Sequence, residues 1–186
     1  MFYPPFVLSA VKLTTMFKNI ILTGFMGVGK TSVGTRLAKD IGFTFVDTDE
    51  LIEADQKMSI TDIFAKLGEP RFRDIESGVI QRVMAGGNQV VSTGGGAVIR
   101  DGNRAAFKKA GLVVCLSARP EVIYERIRHE THRPLLRTSA PLAKIKELLE
   151  SRSAFYAQAD LTIDTSEITV EDVIRGIKER IKHAYC

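Results

Sequence analysis

An eight-residue segment near the start of the chain has the residue types needed to hold a phosphate group. Residues 24–31 read GFMGVGKT and fit the pattern G-x-x-x-x-G-K-[ST]. The glycines allow backbone N–H groups to turn inward around phosphate oxygens, and the positive end of a following helix would face the same anion. Lys30 is expected to reach the β- and γ-phosphates, and the Thr31 hydroxyl to hold Mg²⁺. The segment therefore predicts a site for a nucleoside triphosphate.

Two carboxylates come at the end of the second apolar run. Asp47 and Asp49 would lie at the carboxyl edge of a parallel sheet, where open α/β sheets bind their ligands. If residues 47–49 are extended, alternation points both side chains the same way. One carboxylate near Mg²⁺ and one near an acceptor hydroxyl would suit phosphoryl transfer. Because D-x-D is also a common loop sequence, this pattern alone leaves its function open.

Two further segments carry polar or flexible residues next to predicted elements. Residues 68–76 read GEPRFRDIE and precede a helix, and three consecutive glycines, Gly94, Gly95 and Gly96, follow the third apolar run. Glycines allow the backbone to approach a ligand closely. Their position directly after a buried strand favours a binding role over that of a simple turn.

The elements that must position these residues alternate along the chain. Short apolar runs predict buried strands at residues 19–23, 44–46, 89–92, 112–116 and 161–163. Helical patterns lie near residues 30–41, 59–67, 69–85, 103–110, 120–129, 142–157 and 169–183. Strands that alternate with helices predict an α/β fold, with a parallel five-stranded sheet flanked by helices.

Composition limits the classes of protein that remain. A chain of 186 residues with 45% hydrophobic and 26% charged residues is typical of one globular domain. We expect residues 1–15 to be a poorly ordered extension and residues 16–186 to form the domain. The net charge of +4 is spread along the chain, so we expect no nucleic-acid partner.

Two further features of the sequence bear on surroundings and partners. No apolar stretch reaches the roughly 20 residues that span a bilayer, so no membrane partner is expected. The two cysteines fit neither a disulfide framework nor a metal site, which favours the cytoplasm. We expect a monomer.

Taken together, six motifs resemble the shikimate kinase family, in its order and at its spacing. They are GFMGVGKT at 24–31, DTD at 47–49, FRDIE at 72–76, GGG at 94–96, RPLL at 133–136 and RSAFY at 152–156. They cover the chain from about residue 18 to 182. The resemblance implies transfer of the γ-phosphoryl group of ATP to the 3-hydroxyl of shikimate, with Mg²⁺, in aromatic amino acid biosynthesis. It also implies a P-loop fold like that of nucleoside monophosphate kinases, with a mobile lid at about residues 130–141.

The resemblance also assigns residues to roles. The catalytic residues would be Lys30, Asp49 and Arg133. The nucleotide would be bound by Gly27, Val28, Gly29, Lys30, Thr31, Ser32, Arg126 and Arg133, with Arg126 packed on adenine. Shikimate would contact Asp49, Arg73, Gly94, Gly95, Gly96 and Arg152, and its carboxylate would be held by the two arginines. Mg²⁺ would be held by Thr31 and Asp47.

Two alternatives share the phosphate-binding segment. Another small-metabolite kinase, such as a gluconate kinase, would have the same cradle and sheet, but the set Asp49, Arg73, Gly94–Gly96 and Arg152 disfavours it. A nucleotide-binding regulator without catalysis would have the same fold, but retention of Lys30, Thr31, Asp47 and Asp49 disfavours it.

Overall fold

Five parallel strands form the centre of the molecule. The computed structural model describes residues 17–129 and 140–183. The strands are β1 (Asn19–Thr23), β2 (Thr44–Asp47), β3 (Gln89–Ser92), β4 (Gly111–Ser117) and β5 (Leu161–Asp164). Their order across the sheet is β2-β3-β1-β4-β5, and all neighbouring pairs are parallel. The predicted α/β class and all five predicted strands are confirmed.

Helices connect and cover these strands. They are α1 (Lys30–Ile41), α2 (Thr48–Gln56), α3 (Ile60–Ala85), α4 (Asp101–Ala110), α5 (Pro120–Ile127), α6 (Pro141–Tyr156) and α7 (Val170–His183), with a 3₁₀ turn at Ala97–Ile99. Helix α3 is broken at Gly68, whose φ of 77° lies outside the helical region. The break separates the two helices that the sequence predicts at 59–67 and 69–85, and Pro70 sits in the first turn after it, where proline is tolerated.

Helix α2 was not predicted, and the extended conformation expected for residues 47–49 is wrong. Asp47 is the last residue of β2 and the N-cap of α2, and its side chain accepts a hydrogen bond from the Asp49 backbone N–H. Thr48 and Asp49 therefore already belong to the first helical turn. Capping by an aspartate, together with acidic residues in the first turn, stabilises a helix start here.

The sheet separates two apolar layers. On β1, Ile20 and Leu22 pack into the layer that contains Leu37 of α1, while Ile21 packs into the opposite layer with Ile80 of α3. All five side chains are at most 1% exposed. Burial of one such side chain stabilises the fold by roughly 1.5–3 kcal/mol. This two-sided burial explains why β1 reads as a continuous apolar run after Asn19.

Asn19 fixes the start of the central strand. It is fully buried, and its Nδ2 donates to the carbonyl oxygens of Gly86 (3.1 Å) and Ala110 (3.3 Å). Its Oδ1 accepts a hydrogen bond from the Gln89 backbone N–H (3.1 Å). One side chain thus joins β1 to the segments that enter β3 and β4, at the edge of the sheet opposite the carboxyl ends of the strands.

Some expectations fall outside the described residues. The extension at 1–15 lies there, and so does most of the lid expected at 130–141, of which Ala140 and Pro141 are described. Over the described ranges, none of the helices has the length and apolar character needed to cross a membrane.

Replacing Asn19 by Ala should lower the free energy of unfolding by roughly 2–4 kcal/mol, because one buried and two partly buried backbone groups lose their partner. The urea midpoint should fall with an unchanged denaturant slope. Gln81→Ala, an exposed amide on α3, is the matched control and should change stability by less than about 0.5 kcal/mol. Equal urea midpoints for the two variants would contradict the role of Asn19 in joining β1 to the segments that enter β3 and β4.

Candidate active site

The phosphate-binding segment occupies the turn between β1 and α1. Gly29 is the N-cap of α1 with φ 93°, a left-handed conformation that favours glycine. At Gly24, also at positive φ, a side chain would overlap the Leu116 carbonyl of β4. The loop can therefore pass close to β4 before α1 begins. A glycine-rich loop that leads into a helix N-terminus is suited to bind a phosphate group.

Lys30 lies in the first turn of α1 and reaches back across the loop. Its Nζ donates to the carbonyl oxygens of Gly24 (2.9 Å) and Phe25 (2.8 Å). These contacts keep the ammonium group inside the curve of the loop rather than in bulk solvent. A positive charge in this position compensates the negative charge of a bound phosphate.

Thr31 and Asp47 bring two hard oxygen ligands together. The Thr31 hydroxyl donates to Asp47 Oδ2 at 3.5 Å, and Asp47 Oδ1 accepts the Asp49 N–H at 2.9 Å. The residues that the structure describes contain no group of three or more His, Cys, Asp or Glu side chains able to hold a metal. A hydroxyl and one carboxylate nevertheless fit Mg²⁺, which commonly takes its other ligands from water and substrate phosphates.

The acceptor side of the site is built around Arg73 on α3. Its Nη1 donates to Glu76 Oε2 (2.8 Å) and its Nη2 to Glu69 Oε1 (3.0 Å). The Arg73 side chain is 12% exposed and that of Glu76 only 1%. Burial raises the pKa of the Glu76 carboxyl, although the charge of Arg73 opposes this. The Arg73 Nε also donates to Glu69 Oε1 (3.3 Å), so the two carboxylates contact all three guanidinium nitrogens and fix the group in place.

The three glycines after β3 fit closely against charged side chains. A Cβ on Gly94 would lie 2.7 Å from Asp49 Oδ1 and 3.1 Å from Glu76 Oε1, and a Cβ on Gly96 would lie 2.7 Å from Arg73 Cζ. Side chains at 94 and 96 would occupy the space that these groups use. The glycines therefore let the polar groups approach the backbone, and their role in binding a ligand stays a prediction.

Arg152 reaches the site from α6. It is 8% exposed, donates from Nη1 to the Gly95 carbonyl (3.3 Å), and its Cζ lies 5.7 Å from the centroid of the Phe25 ring. A guanidinium at this distance from an aromatic face is attracted to it. Arg152 thus lies between the glycine loop and the phosphate loop, on the acceptor side.

Arg126 lies on the other side of the phosphate loop. It donates to the carbonyl oxygens of Gly27 (3.2 Å) and Thr165 (2.6 Å) and to the Thr165 hydroxyl (3.1 Å). These bonds hold Arg126 between the loop and the segment after β5. Its packing on adenine stays a prediction. Arg133, predicted to be catalytic and nucleotide-binding, lies outside the described residues.

The predicted residues that are described all meet in one cleft of about 1350 Å³. Phosphate-loop residues line one end and the acceptor residues the other, and the cleft is continuous between them. The lining includes Gly27, Val28, Gly29, Lys30, Thr31, Ser32, Asp47, Asp49, Arg73, Gly94, Gly95, Gly96, Arg126 and Arg152. The cleft therefore has room for a triphosphate and a small acceptor side by side.

Two residues that support the site were absent from the predicted set. Glu76 is held by Arg73, and Tyr156 contacts Gly95. Both were inside quoted motifs, and their spacing contained the signal. Glu76 follows Arg73 by three residues and Tyr156 follows Arg152 by four, which places each pair on one helix face.

Fold and site together define a P-loop phosphotransferase with an acceptor pocket beside the phosphate loop. A sequence model of the shikimate kinase family matches residues 26–182. The shikimate kinase of Thermodesulfovibrio yellowstonii is 51% identical over 160 residues, which are 86% of this chain and 92% of that protein. The structure of the shikimate kinase from Acinetobacter baumannii in complex with shikimate has a TM-score of 0.89 and 35% identity, and the match covers 94% of this chain and 98% of that chain. The chain belongs to the shikimate kinase family.

A gluconokinase structure provides a contrast. The gluconokinase from Sinorhizobium meliloti is 17% identical with a TM-score of 0.55, and the match covers 91% of this chain and 97% of that chain. At this identity the likeness shows the fold alone. The similarity therefore lends no weight to the alternative of a gluconate kinase.

Replacing Gly96 by Ala should displace Arg73, because the new methyl group overlaps the end of a flexible side chain. If Arg73 binds the acceptor carboxylate, the KM for the acceptor should rise about ten- to a hundredfold, the range for a lost charge-assisted hydrogen bond. Steady-state kinetics with each substrate varied in turn give the measurement.

The control for this variant is Gly102→Ala on α4, where an added Cβ has no atom within 4 Å. It should leave both KM values unchanged and the fold as stable or more so. An unchanged acceptor KM in Gly96→Ala would contradict the assignment of Arg73 to acceptor binding.

Proposed function

We propose that this protein catalyses transfer of the γ-phosphoryl group of ATP to the 3-hydroxyl of shikimate, giving shikimate 3-phosphate and ADP. The observation that carries the proposal is one cleft that joins the phosphate loop to a pocket with the buried Arg152, the largely buried Arg73 and the carboxylate of Asp49. Transfer between two bound substrates requires this adjacency, because most of the catalysis comes from positioning and charge neutralisation.

Shikimate carries one carboxylate and three hydroxyls, and the pocket has matching groups. We assign its carboxylate to Arg73 and Arg152, whose planar forks suit a carboxylate better than a lysine would. Arg73 approaches from α3 and Arg152 from α6, so a carboxylate can be held from two directions. The glycine loop at Gly94–Gly96 would line the space between them.

The nucleotide end has its own assignments. Lys30 neutralises charge on the β- and γ-phosphates, and the backbone of Gly27–Gly29 with Ser32 surrounds them. Arg126 lines the nucleotide end of the cleft. We assign Mg²⁺ to Thr31 and Asp47, where it supplies positive charge for the phosphate oxygens. The assignment of Arg133 to the phosphates rests on the resemblance of its motif.

The chemical step follows from these positions. The shikimate 3-hydroxyl oxygen forms a bond to the γ-phosphorus, and the bond from that phosphorus to the β–γ bridging oxygen breaks. ADP leaves with that electron pair. Asp49 accepts the hydroxyl hydrogen bond, aligns the oxygen for attack and takes the proton late in the transfer.

We further propose that the protein works as a monomer in the cytoplasm. The cytoplasmic assignment is supported by the two cysteines of the sequence, which fit neither a disulfide framework nor a metal site. Size-exclusion chromatography with light scattering measures the mass, and a dimer would contradict this part.

An assay of ADP release, with shikimate, gluconate and nucleoside monophosphates offered separately, tests the proposed function. Only shikimate should support turnover above the background of ATP hydrolysis. Preferential turnover of gluconate would support the other kinase class. ATP binding without turnover on any acceptor would support the regulator.

Replacing Asp49 by Asn should lower kcat by about two to four orders of magnitude, the span of positioned acid–base groups. The amide keeps the shape but cannot accept the proton, while the ATP KM should hardly change. Asp55→Asn, an exposed aspartate on the same helix paired with Arg82, is the matched control and should keep normal kinetics. A kcat within a few-fold of wild type, with a raised shikimate KM, would make Asp49 a binding residue only.

A further inference from the structure

Tyr156 lies one helical turn after Arg152 on the same face of α6. Its hydroxyl donates to the Gly95 carbonyl oxygen at 2.6 Å, and Arg152 Nη1 donates to the same oxygen at 3.3 Å. A carbonyl oxygen has two lone pairs, so both donors can be accepted at once. The shorter bond is the one from Tyr156, which makes it the main restraint on the orientation of this carbonyl.

The rest of the Gly95 residue is already confined. A Cβ on Gly95 would lie 3.4 Å from Gly24 O, 3.5 Å from Met26 N and 3.6 Å from Phe25 Cα. The Gly95 backbone therefore packs against the phosphate loop on one side and is held by α6 on the other.

The Tyr156 hydroxyl stays protonated and can therefore donate a hydrogen bond. Burial raises the pKa of Tyr156 to about 12, although the nearby charge of Arg152 opposes the shift. The hydroxyl therefore keeps its proton throughout the pH range in which an enzyme is assayed. Its partner is a backbone atom of the glycine loop that Arg152 also contacts, so the bond couples α6 to this loop.

We propose that Tyr156 is a positioning residue for acceptor binding, which acts by fixing the Gly95 carbonyl that in turn aims the Arg152 guanidinium. When the hydroxyl is removed, Arg152 is the remaining side-chain donor to this oxygen among the residues that the structure describes, and the guanidinium moves toward the carbonyl and away from the acceptor. This inference rests on the proposed function, because it assumes that Arg152 binds the acceptor.

The first test is Tyr156→Phe, which removes the hydroxyl and keeps the ring. The shikimate KM should rise about five- to tenfold, with the ATP KM within about twofold of wild type. Tyr124→Phe removes a hydroxyl from a tyrosine on α5 outside the cleft and should leave both KM values unchanged. A purely structural role would lower stability without changing the shikimate KM, and that result would overturn the proposal.

A double-mutant cycle tests whether Tyr156 acts through Arg152. In an Arg152→Ala background, adding Tyr156→Phe should change the shikimate KM by less than about twofold. If the full five- to tenfold effect persists without Arg152, the proposed route through that side chain is wrong. Turnover of shikimate by the wild-type protein is measured first. If the wild type does not turn over shikimate, the proposed function and this inference are both wrong. If it does, the variants test this inference alone.

Incorporation of 4-aminophenylalanine at position 156 gives a second, independent variant that keeps a donor in place of the hydroxyl. Its shikimate KM should return to within about twofold of wild type. If Tyr156→Phe does not fold, the shikimate KM of this variant still tests the proposal. A KM raised as far as in Tyr156→Phe, despite the retained donor, would overturn the proposal.

Discussion

The parallel pairing of β1 with β3 is the constraint on which the site depends. Ile21 lies opposite Val91 and Leu22 opposite Ser92, and beyond the strands the Thr93 N–H still donates to the Leu22 carbonyl at 3.0 Å. Because parallel strands end at the same edge, the phosphate loop and the glycine loop leave the sheet side by side. Their backbones then touch at Gly95 and residues 24–26. The distance between the two substrates is therefore set by the sheet rather than by flexible side chains.

The charged side chains of the acceptor pocket lie at different depths below the protein surface. Glu76 lies deepest and pairs with Arg73, and Arg73 lies nearer the cleft with Glu69 on its outer side. A buried guanidinium without such partners would be costly. The carboxylates that hold it also reduce its net charge, so a bound carboxylate must compete with them. If Arg73 binds the acceptor as proposed, the pocket would favour a ligand with a well-placed bidentate anion over one that offers charge alone.

Much of this could be predicted from the sequence, for identifiable reasons. The strands are short apolar runs that end at Gly, Asp or Ser, and both faces of the central ones are buried, so their pattern is unambiguous. The phosphate loop has a fixed spacing because few backbones can surround a phosphate. Helix α2 was missed because Asp47 fits two local structures, and the capping bond to Asp49 decides between them.

Supporting residues were harder to predict than the residues they support. The sequence singles out Arg73 and Arg152 as charged residues in motifs, but which carboxylate or carbonyl each one meets depends on packing between α3, α6 and the glycine loop. The bonds from Arg126 to Thr165 likewise join parts of the chain 39 positions apart. Such pairings depend on tertiary structure and cannot be recognised from the hydrophobic periodicity of the local sequence.

The buried pair of Arg73 and Glu76 has a consequence for attempts to make the protein more heat-resistant. Replacement of a buried ion pair by well-packed apolar residues is often neutral or stabilising. The fold itself therefore has little need of these charges, and a search that selects for thermal stability alone would tend to discard them. If Arg73 binds the acceptor as proposed, sequence libraries built for robustness should hold both positions constant, because stability and activity would then select for different residues.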